Sequence, residues 1–232
     1  MTMTETLLPA ADLAFRSTTR WRNESADYRA ALTALLAEEI RLRRHIQQVA
    51  AQRRALPPGG EIAQDYAFDG KDGPTTLAGL FGRHDTLIVY SMMYGPDRTR
   101  VCPMCAALLD TWDGMARHVA QRAALVVVAR SPIARILDCA VERGWTSLTF
   151  LSDPSGDFTA DYVGERDADM PAYTIFRRSD GKVRHFYSGE GGMEIADPGQ
   201  DPHSAPDLNP LWVMLDTTPE GRGTDWYPRL DD

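Results

Sequence analysis

The feature that most constrains this chain is a pair of cysteines two residues apart, Cys102 and Cys105, set between an apolar segment and an amphipathic one. The segment Leu87 to Tyr90, ahead of the pair, is an apolar run of strand length, rich in β-forming residues. Behind the pair, apolar residues recur at helical spacing: Leu108, Leu109, Trp112, Met115, Ala116 and Val119. The pattern predicts that the cysteines lie where a buried strand ends and a helix begins.

Two thiols in the first turn of a helix can close a disulfide with little movement of the chain. Cys102, at the start of the helix, is expected to be the more reactive, because unpaired backbone N–H groups and the helix dipole stabilise a thiolate there. Cys105 is one turn further in, so we expect it to be more buried and placed to attack a mixed disulfide on Cys102. The arginines Arg98 and Arg100 either add positive potential or are exposed loop residues held away by Asp97.

The same spacing is also found in structural zinc sites and in inert buried cysteine pairs. A zinc site needs a second ligand pair, and the only other cysteine is Cys139, with no second pair of Cys or His at ligand spacing. The agreement of strand, motif and helix favours a redox or thiol-peroxidase site at Cys102 and Cys105. The sequence predicts no metal site and no cofactor.

Composition limits the classes of partner and compartment. A chain of 232 residues suits one domain with a long appendage, or two small domains. The formal net charge of −8 argues against broad nucleic-acid binding, and no stretch reaches membrane-spanning length. The first residues lack a basic secretory pattern, and three cysteines do not make a secreted disulfide framework. The expected compartment is the cytoplasm.

The N-terminal quarter is expected to consist of a loose arm over residues 1–22, followed by a long amphipathic helix and a linker over residues 23–60. The helix is capped by Asn23 or Ser25 and stopped by the proline and glycine run that begins at Pro57. Its apolar stripe has steps of four and three, with Glu39 in the one missing position: Tyr28, Leu32, Leu35, Leu42, Ile46 and Val49. This stripe indicates either a docking or homodimerisation helix or a helix lying on its own domain.

Residues 61–220 read as an α/β domain, and residues 221–232 as an irregular tail. A short hairpin over residues 66–77 precedes the cysteine pair, and alternating strands and helices follow it, with Cys139 read as a structural residue. A strand introduced by Met170-Pro171 turns at Ser179-Asp180-Gly181 into a return strand. A Gly- and Pro-rich acidic loop over residues 188–210 leads to a last short helix starting at Asn209-Pro210.

This order of elements resembles the thioredoxin fold, a central mixed sheet flanked by helices, here with a long N-terminal helical extension. From about Asn23 to Gly221 the chain resembles the bacterial thioredoxin-like family catalogued as domain of unknown function 899. The matching stretches are Leu87 to Tyr90, Met93 to Asp97, the Cys102–Cys105 motif, Gly144-Trp145, Met170-Pro171 and Leu215 to Pro219.

The resemblance implies roles for four residues. Cys102 would be the attacking thiol and Cys105 the resolving thiol, while Met170 and Pro171, with a cis peptide bond between them, would shape the substrate groove. The dipeptide Pro103-Met104 differs from the Gly-Pro of thioredoxins and is more similar to that of glutaredoxins or disulfide-forming oxidases. The segment Tyr66 to Leu80 also resembles the start of peroxiredoxins, and Thr99 stands three residues before Cys102 as in their peroxidatic motif.

The expected function is that of a thiol–disulfide oxidoreductase acting on a protein or small-molecule disulfide and returned to its reduced state by an external thiol reductant. One alternative is a peroxiredoxin-like thiol peroxidase in which Cys102 attacks peroxide. Another is a non-enzymatic dimeric redox sensor or binding module, in which the state of the cysteine pair alters the long helix or the acidic loop.

Overall fold

The computed structural model describes residues 7–190, 208–221, 223 and 226–230. The chain divides into two units, residues 1–57 and residues 58–232. Most of the acidic loop expected over residues 188–210 lies outside the described residues, so its role stays open.

The first unit contains two helices, α1 (Ala10–Phe15) and α2 (Ala26–Arg54). At about 1.5 Å per residue, the 29 residues of α2 extend for about 43 Å. As expected, Ser25 caps α2, its hydroxyl oxygen accepting a hydrogen bond from the backbone N–H of Tyr28 at 3.1 Å. The helix ends at Arg54, just before the proline and glycine run.

Two features of the first unit were not predicted, the helix α1 and the face of α2 that α1 covers. The loose arm expected over residues 1–22 contains α1, because the small side chains Ala10 and Ala14 allow it to pack closely against Ala37 and Ile40 of α2. The apolar stripe of α2 that was expected to contact a partner is not the face that contacts α1. Four residues of this stripe are more than half exposed: Tyr28, Leu35, Leu42 and Ile46.

The second unit begins with a hairpin of β1 (Ala67–Gly70) and β2 (Gly73–Thr76), followed by the single turn α3 (Leu77–Leu80). It continues with β3 (Thr86–Ser91), α4 (Pro103–Val119), β4 (Ala124–Ala129), α5 (Ile133–Arg143), β5 (Thr149–Ser152) and α6 (Asp157–Tyr162). It ends with β6 (Ala172–Ser179), β7 (Lys182–Ser188) and α7 (Pro210–Leu215).

The strands form one sheet of seven in the order β2-β1-β5-β4-β3-β6-β7. The central strands β3, β4 and β5 are parallel, since each is joined to the next by a helix, and β6 runs antiparallel to β3. The expected thioredoxin-like arrangement is therefore confirmed, with the cysteine-bearing helix α4 following the central strand β3.

The hydrophobic core of this unit has two parts, one on each face of the sheet. Alternate residues of β3 point to opposite faces, so Tyr90 belongs to one part while Leu87 and Val89 belong to the other. The first part, which we call the cysteine-side core, includes residues of α4 and α5, among them Cys105 and Cys139. The second part includes residues of β1, α3 and α6, among them Phe68, Leu77 and Phe158.

Local signals for turns and helix starts are mostly confirmed. Asp180 and Gly181 both adopt positive φ angles, 53° and 72°, as a two-residue hairpin turn requires, and they join β6 to β7. Asn209 caps α7 by accepting a hydrogen bond from the N–H of Leu211 at 3.1 Å. Ser131, which precedes the Pro132 cap of α5, donates its hydroxyl hydrogen to the carbonyl oxygen of Gly95 at 3.0 Å and so links two loops.

Candidate active site

Cys102 occupies the cap position at the start of α4, as the sequence predicts. The next residue is Pro103, whose missing N–H is no loss in the first turn of a helix and whose fixed φ angle suits that position. The backbone N–H of Cys102 donates to the carbonyl oxygen of Met93 at 3.2 Å, which fixes the cap against the segment leaving β3. The thiol is partly exposed.

The pKa of the Cys102 thiol is lowered to about 6. The largest cause is a hydrogen bond from the Cys105 thiol, supported by the N–H groups of Cys105 and Met104 and by the positive charge of Arg98. Burial acts in the opposite direction. Cys102 is therefore mainly a thiolate near neutral pH, which is the form that reacts with electrophilic sulfur.

Cys105 has the opposite character. It is 1% exposed, and its pKa is raised well above the ordinary value by the neighbouring Cys102 sulfur and by burial. Two groups oppose this shift. The Tyr90 hydroxyl donates to the Cys105 sulfur at 3.2 Å, and the backbone N–H of Met93 does so at 3.5 Å. The expected contrast is therefore present, with Cys102 partly exposed and its pKa lowered, and Cys105 buried and its pKa raised.

Asp169 connects the loop ahead of Cys102 to the segment ahead of β6. One carboxylate oxygen of Asp169 accepts a hydrogen bond from the N–H of Gly95 at 2.9 Å, and the other pairs with the guanidinium group of Arg98. A Cβ atom at Gly95 would lie 3.2 Å from that carboxylate, so the close approach favours glycine. Arg98 is thus held by Asp169 and not by Asp97, and it remains close enough to lower the pKa of Cys102.

Two residues at the start of α5 hold the same loop from the other side. The Arg135 guanidinium donates to the carbonyl oxygen of Pro96 at 2.9 Å and to that of Arg98, and it lies 4.6 Å from the centre of the Tyr94 ring. Ser131 donates two hydrogen bonds to this loop, from its backbone N–H to the carbonyl oxygen of Tyr94 and from its hydroxyl group to that of Gly95. The loop that carries Arg98 is therefore fixed by both neighbouring segments.

A cleft of about 580 Å³ is lined by Val101 and Pro103, the two chain neighbours of Cys102. Arginine and apolar side chains dominate its lining, which consists of Asp97, Arg98, Thr99, Arg100, Val101, Pro103, Arg229 and Leu230. Leu230 also packs against the cysteine-side core, so Arg229 and Leu230, from the segment expected to be an irregular tail, form one wall of this cleft. No residue spacing in the sequence indicates that contribution.

Met170 and Pro171 lie at the same end of the sheet as the cysteine pair. The register pairs Ala172 of β6 with Ser91, the last residue of β3, and Asp169 contacts the loop leading to Cys102. Both Met170 and Pro171 are exposed. The expected cis peptide bond between them and their role in a substrate groove stay predictions.

Cys139 lies on α5 with its side chain in the cysteine-side core. Burial is the main cause that raises its pKa, so it is protonated at neutral pH. These properties fit the structural role expected from the sequence.

Tyr90 and Asp169 belong to the site without having been predicted from the sequence. Tyr90 reads only as an apolar strand residue, and Asp169 lies 74 residues from its partner Gly95. Contacts of this kind depend on the pairing of β3 with β6 and the packing of α4, neither of which leaves a local pattern.

The described residues include no candidate metal site and no candidate membrane span. No cluster of three or more His, Cys, Asp or Glu side chains within them could hold a metal ion. None of the helices described is both long and apolar enough to cross a membrane.

Comparison with known proteins places the chain among bacterial sequences. The family model described as a bacterial protein of unknown function, DUF899, matches residues 18–232. No match was found among curated proteins.

Several solved structures share similarity with the chain at low identity. A hypothetical protein from Sinorhizobium meliloti is 19% identical, with 75% of this chain and 91% of that chain covered and a TM-score of 0.43. A secreted disulfide oxidoreductase from Mycobacterium tuberculosis is 20% identical over 49% and 76% of the two chains, with a TM-score of 0.35. A peroxiredoxin-like protein from Aquifex aeolicus is 13% identical over 57% and 75%, with a TM-score of 0.40. These similarities are too distant to assign an activity.

Proposed function

We propose that this chain, which belongs to the bacterial family DUF899, is a thiol–disulfide oxidoreductase in which Cys102 attacks and Cys105 resolves. The observation that carries the proposal is the contrast between the two thiols. Cys102 is partly exposed with a pKa of about 6, while Cys105 is buried with a raised pKa and hydrogen-bonds to Cys102. This contrast suits a two-step exchange in which one sulfur meets the substrate and the other releases it.

In the first step, the Cys102 thiolate attacks one sulfur of a substrate disulfide. A bond forms between Cys102 and that sulfur, the substrate S–S bond breaks, and the other substrate sulfur leaves as a thiolate that takes a proton from water. In the second step, the Cys105 sulfur attacks Cys102, and the mixed disulfide breaks as the internal disulfide forms. The Cys105 proton goes to the departing substrate sulfur, so the substrate is reduced by two electrons and the cysteine pair is oxidised.

Return to the starting state needs an external thiol reductant, such as a low-molecular-weight thiol or a reductase of the thioredoxin-reductase class. We place this cycle in a reducing compartment, the cytoplasm, where such reductants keep thiols reduced. The substrate is a protein or small-molecule disulfide. In the proposal it approaches over the cleft beside Cys102, with Met170 and Pro171 forming part of the groove that receives it.

The direct test is to trap the mixed disulfide. With Cys105→Ser, the first attack still takes place but no neighbouring thiol can resolve it, so the complex with the substrate persists until a reductant is added. With Cys102→Ser, no complex forms. The matched control is Cys139→Ser, which changes a cysteine outside the pair and is expected to behave as the wild type does.

The probes are a defined small disulfide, 2-hydroxyethyl disulfide, detected as added mass on Cys102, and a thiol-blocked lysate eluted with reductant. A persistent adduct on Cys105→Ser that is absent from Cys102→Ser supports the proposal. An absence of any adduct on Cys105→Ser contradicts it.

A thiol peroxidase is the second candidate, and one feature of the site favours it. Thr99, which the resemblance to the peroxidatic motif singles out, lines the same cleft as Val101 and Pro103, the chain neighbours of Cys102. In this reaction Cys102 attacks a peroxide oxygen to give a sulfenic acid and water or an alcohol, and Cys105 condenses with the sulfenic acid to give the disulfide and water. If the wild type consumes peroxide in the presence of thiol while Cys105→Ser traps no disulfide substrate, this candidate replaces the first. If neither reaction occurs, the non-enzymatic sensor or binding module is favoured.

A further inference from the structure

We propose that Tyr90 is a positioning residue for the resolving step, because its hydroxyl group holds the Cys105 sulfur in place and stabilises the negative charge that develops on it. The inference rests on the proposed function, since it assigns a role within the same thiol exchange. It differs from the roles implied by the resemblance, which concern Cys102, Cys105, Met170 and Pro171 only.

The position of Tyr90 follows from the alternation of side chains along β3. Tyr90 points into the cysteine-side core, where its ring packs edge-on against Trp112, with 5.5 Å between the ring centres. Cys105 and Trp112 are seven residues apart on α4, which is two helical turns, so they lie on the same face of that helix. The Tyr90 ring spans this face, and its hydroxyl group reaches the Cys105 sulfur at 3.2 Å.

The surroundings of Cys105 make such a donor necessary for a thiolate to form there. The sulfur lies in a core of apolar and aromatic side chains and is 1% exposed, so water cannot stabilise a charge on it. Among the described residues, two groups donate to this sulfur, the Tyr90 hydroxyl and the more distant backbone N–H of Met93. Of these two groups, only the hydroxyl group can be removed by substitution while the backbone stays intact.

Tyr90 acts as a donor and not as a base. Burial and the negative charge of the two cysteine sulfurs raise the pKa of Tyr90 well above its ordinary value, so the phenol keeps its proton throughout the reaction. In the resolving step the Cys105 proton goes to the departing substrate sulfur, the bond between Cys102 and Cys105 forms, and the mixed disulfide breaks. The Tyr90 hydroxyl keeps its hydrogen bond to the Cys105 sulfur as the charge on that sulfur grows and then falls.

The test uses Tyr90→Phe, which removes the hydroxyl group and keeps the ring that packs on Trp112. The matched control is Tyr66→Phe. Tyr66 and Tyr90 are equally buried, at 5% and 6% exposure, but the Tyr66 hydroxyl bonds to the Asp161 carboxylate on the opposite face of the sheet. Both variants are made with Cys139→Ala, so that only the cysteine pair reacts.

The reaction is followed with 5,5′-dithiobis(2-nitrobenzoate), a disulfide that releases a coloured thiolate at each step. The first release reports attack by Cys102, and the second reports resolution by Cys105. For Tyr90→Phe we expect the second release to slow about tenfold at neutral pH, and the midpoint of its pH profile to move about one unit higher. The first release should be unchanged, and Tyr66→Phe should match the parent in both steps.

A conserved pH midpoint and rate of the second release in Tyr90→Phe would overturn the inference. So would an equal slowing of both releases, which would indicate a general loss of structure, or the same shift in Tyr66→Phe. These results leave the proposed function intact, because both releases still occur. If the parent protein gives no first release at all, the proposed function fails and the inference fails with it.

Discussion

The two long helices, α2 and α4, have similar apolar patterns but differ in whether the apolar face is buried. Both carry apolar side chains at helical spacing, yet α4 buries Leu108, Leu109, Trp112 and Ala116, while α2 leaves Tyr28, Leu35, Leu42 and Ile46 each 52–59% exposed. On α2, the buried positions Ala37 and Ile40 face the short helix α1. Helical spacing therefore predicts that a helix forms, but which of its faces is covered depends on what packs against it.

The largest difference between these helices is expected in unfolding free energy. Leu109 of α4 is completely buried, so Leu109→Ala should lower the free energy of unfolding by about 2–5 kcal/mol, through lost burial and the cavity left behind. The matched change Leu42→Ala on the exposed stripe of α2 should alter it by less than about 0.5 kcal/mol at low protein concentration. Chemical denaturation of both variants measures the contrast, and equal effects would remove it.

The second difference concerns what covers the exposed face of α2. We expect a second copy of the chain to pair with it, so the wild type should have the mass of a dimer and Leu35→Asp the mass of a monomer, as measured by light scattering. A charge placed on the seam is costly when it is buried against another helix. The control, Gln48→Asp, adds the same charge at an exposed position away from the stripe and should remain dimeric. A monomeric wild type, or an unchanged mass for Leu35→Asp, contradicts this expectation.

The starts of the two helices differ as well, and the difference is chemical. Ser25 caps α2 with a neutral hydroxyl group, whereas Cys102 at the start of α4 carries a thiolate. The alkylation rate of Cys102 by iodoacetamide should rise with pH through a midpoint near 6 and then level off, because only the thiolate reacts.

Removal of the nearby positive charge by Arg98→Gln should raise the pKa of Cys102 and slow its alkylation severalfold at pH 6, with little change at pH 9. Arg83→Gln is the control, since Arg83 donates to the carbonyl oxygen of Ala120 and does not lower the pKa of Cys102. An unchanged midpoint in Arg98→Gln would show that the Cys105 thiol and the backbone N–H groups lower the pKa of Cys102 without help from Arg98.

The smallest effect on thiol exchange is expected from substitution of Cys139, because this residue of α5 is buried in the cysteine-side core. Burial raises the pKa of Cys139, so Cys139→Ala should leave the rates of both thiol-exchange steps unchanged, and Cys139 should be alkylated much more slowly than Cys102. Peptide mapping after timed alkylation measures this order. A loss of activity without loss of folding would place Cys139 within the exchange.

Local sequence signals predicted the parts of the fold and site that depend on neighbouring residues. The start of α4 at Cys102 and the turn at Asp180-Gly181 belong to this group, since apolar spacing and turn chemistry act over a few residues. The helix α1 was missed because only two alanines make its buried face. The contacts of Tyr90 and Asp169 could not be read from the sequence, because tertiary packing brings together residues 15 and 74 positions apart.

The thiolate at the start of α4 also bears on the direction in which electrons flow. The fold lowers the pKa of Cys102 to about 6. Ionisation of Cys102 therefore stabilises the folded, reduced protein above that pH. This contribution increases as the pH rises from about 6 towards the ordinary range of a thiol, and it is lost below about 6. The oxidised protein does not gain this stabilisation, because the disulfide has no ionisable thiol. The disulfide of the pair is thereby easier to reduce at neutral pH than that of an unperturbed dithiol, which favours the step in which the external thiol reductant restores the pair.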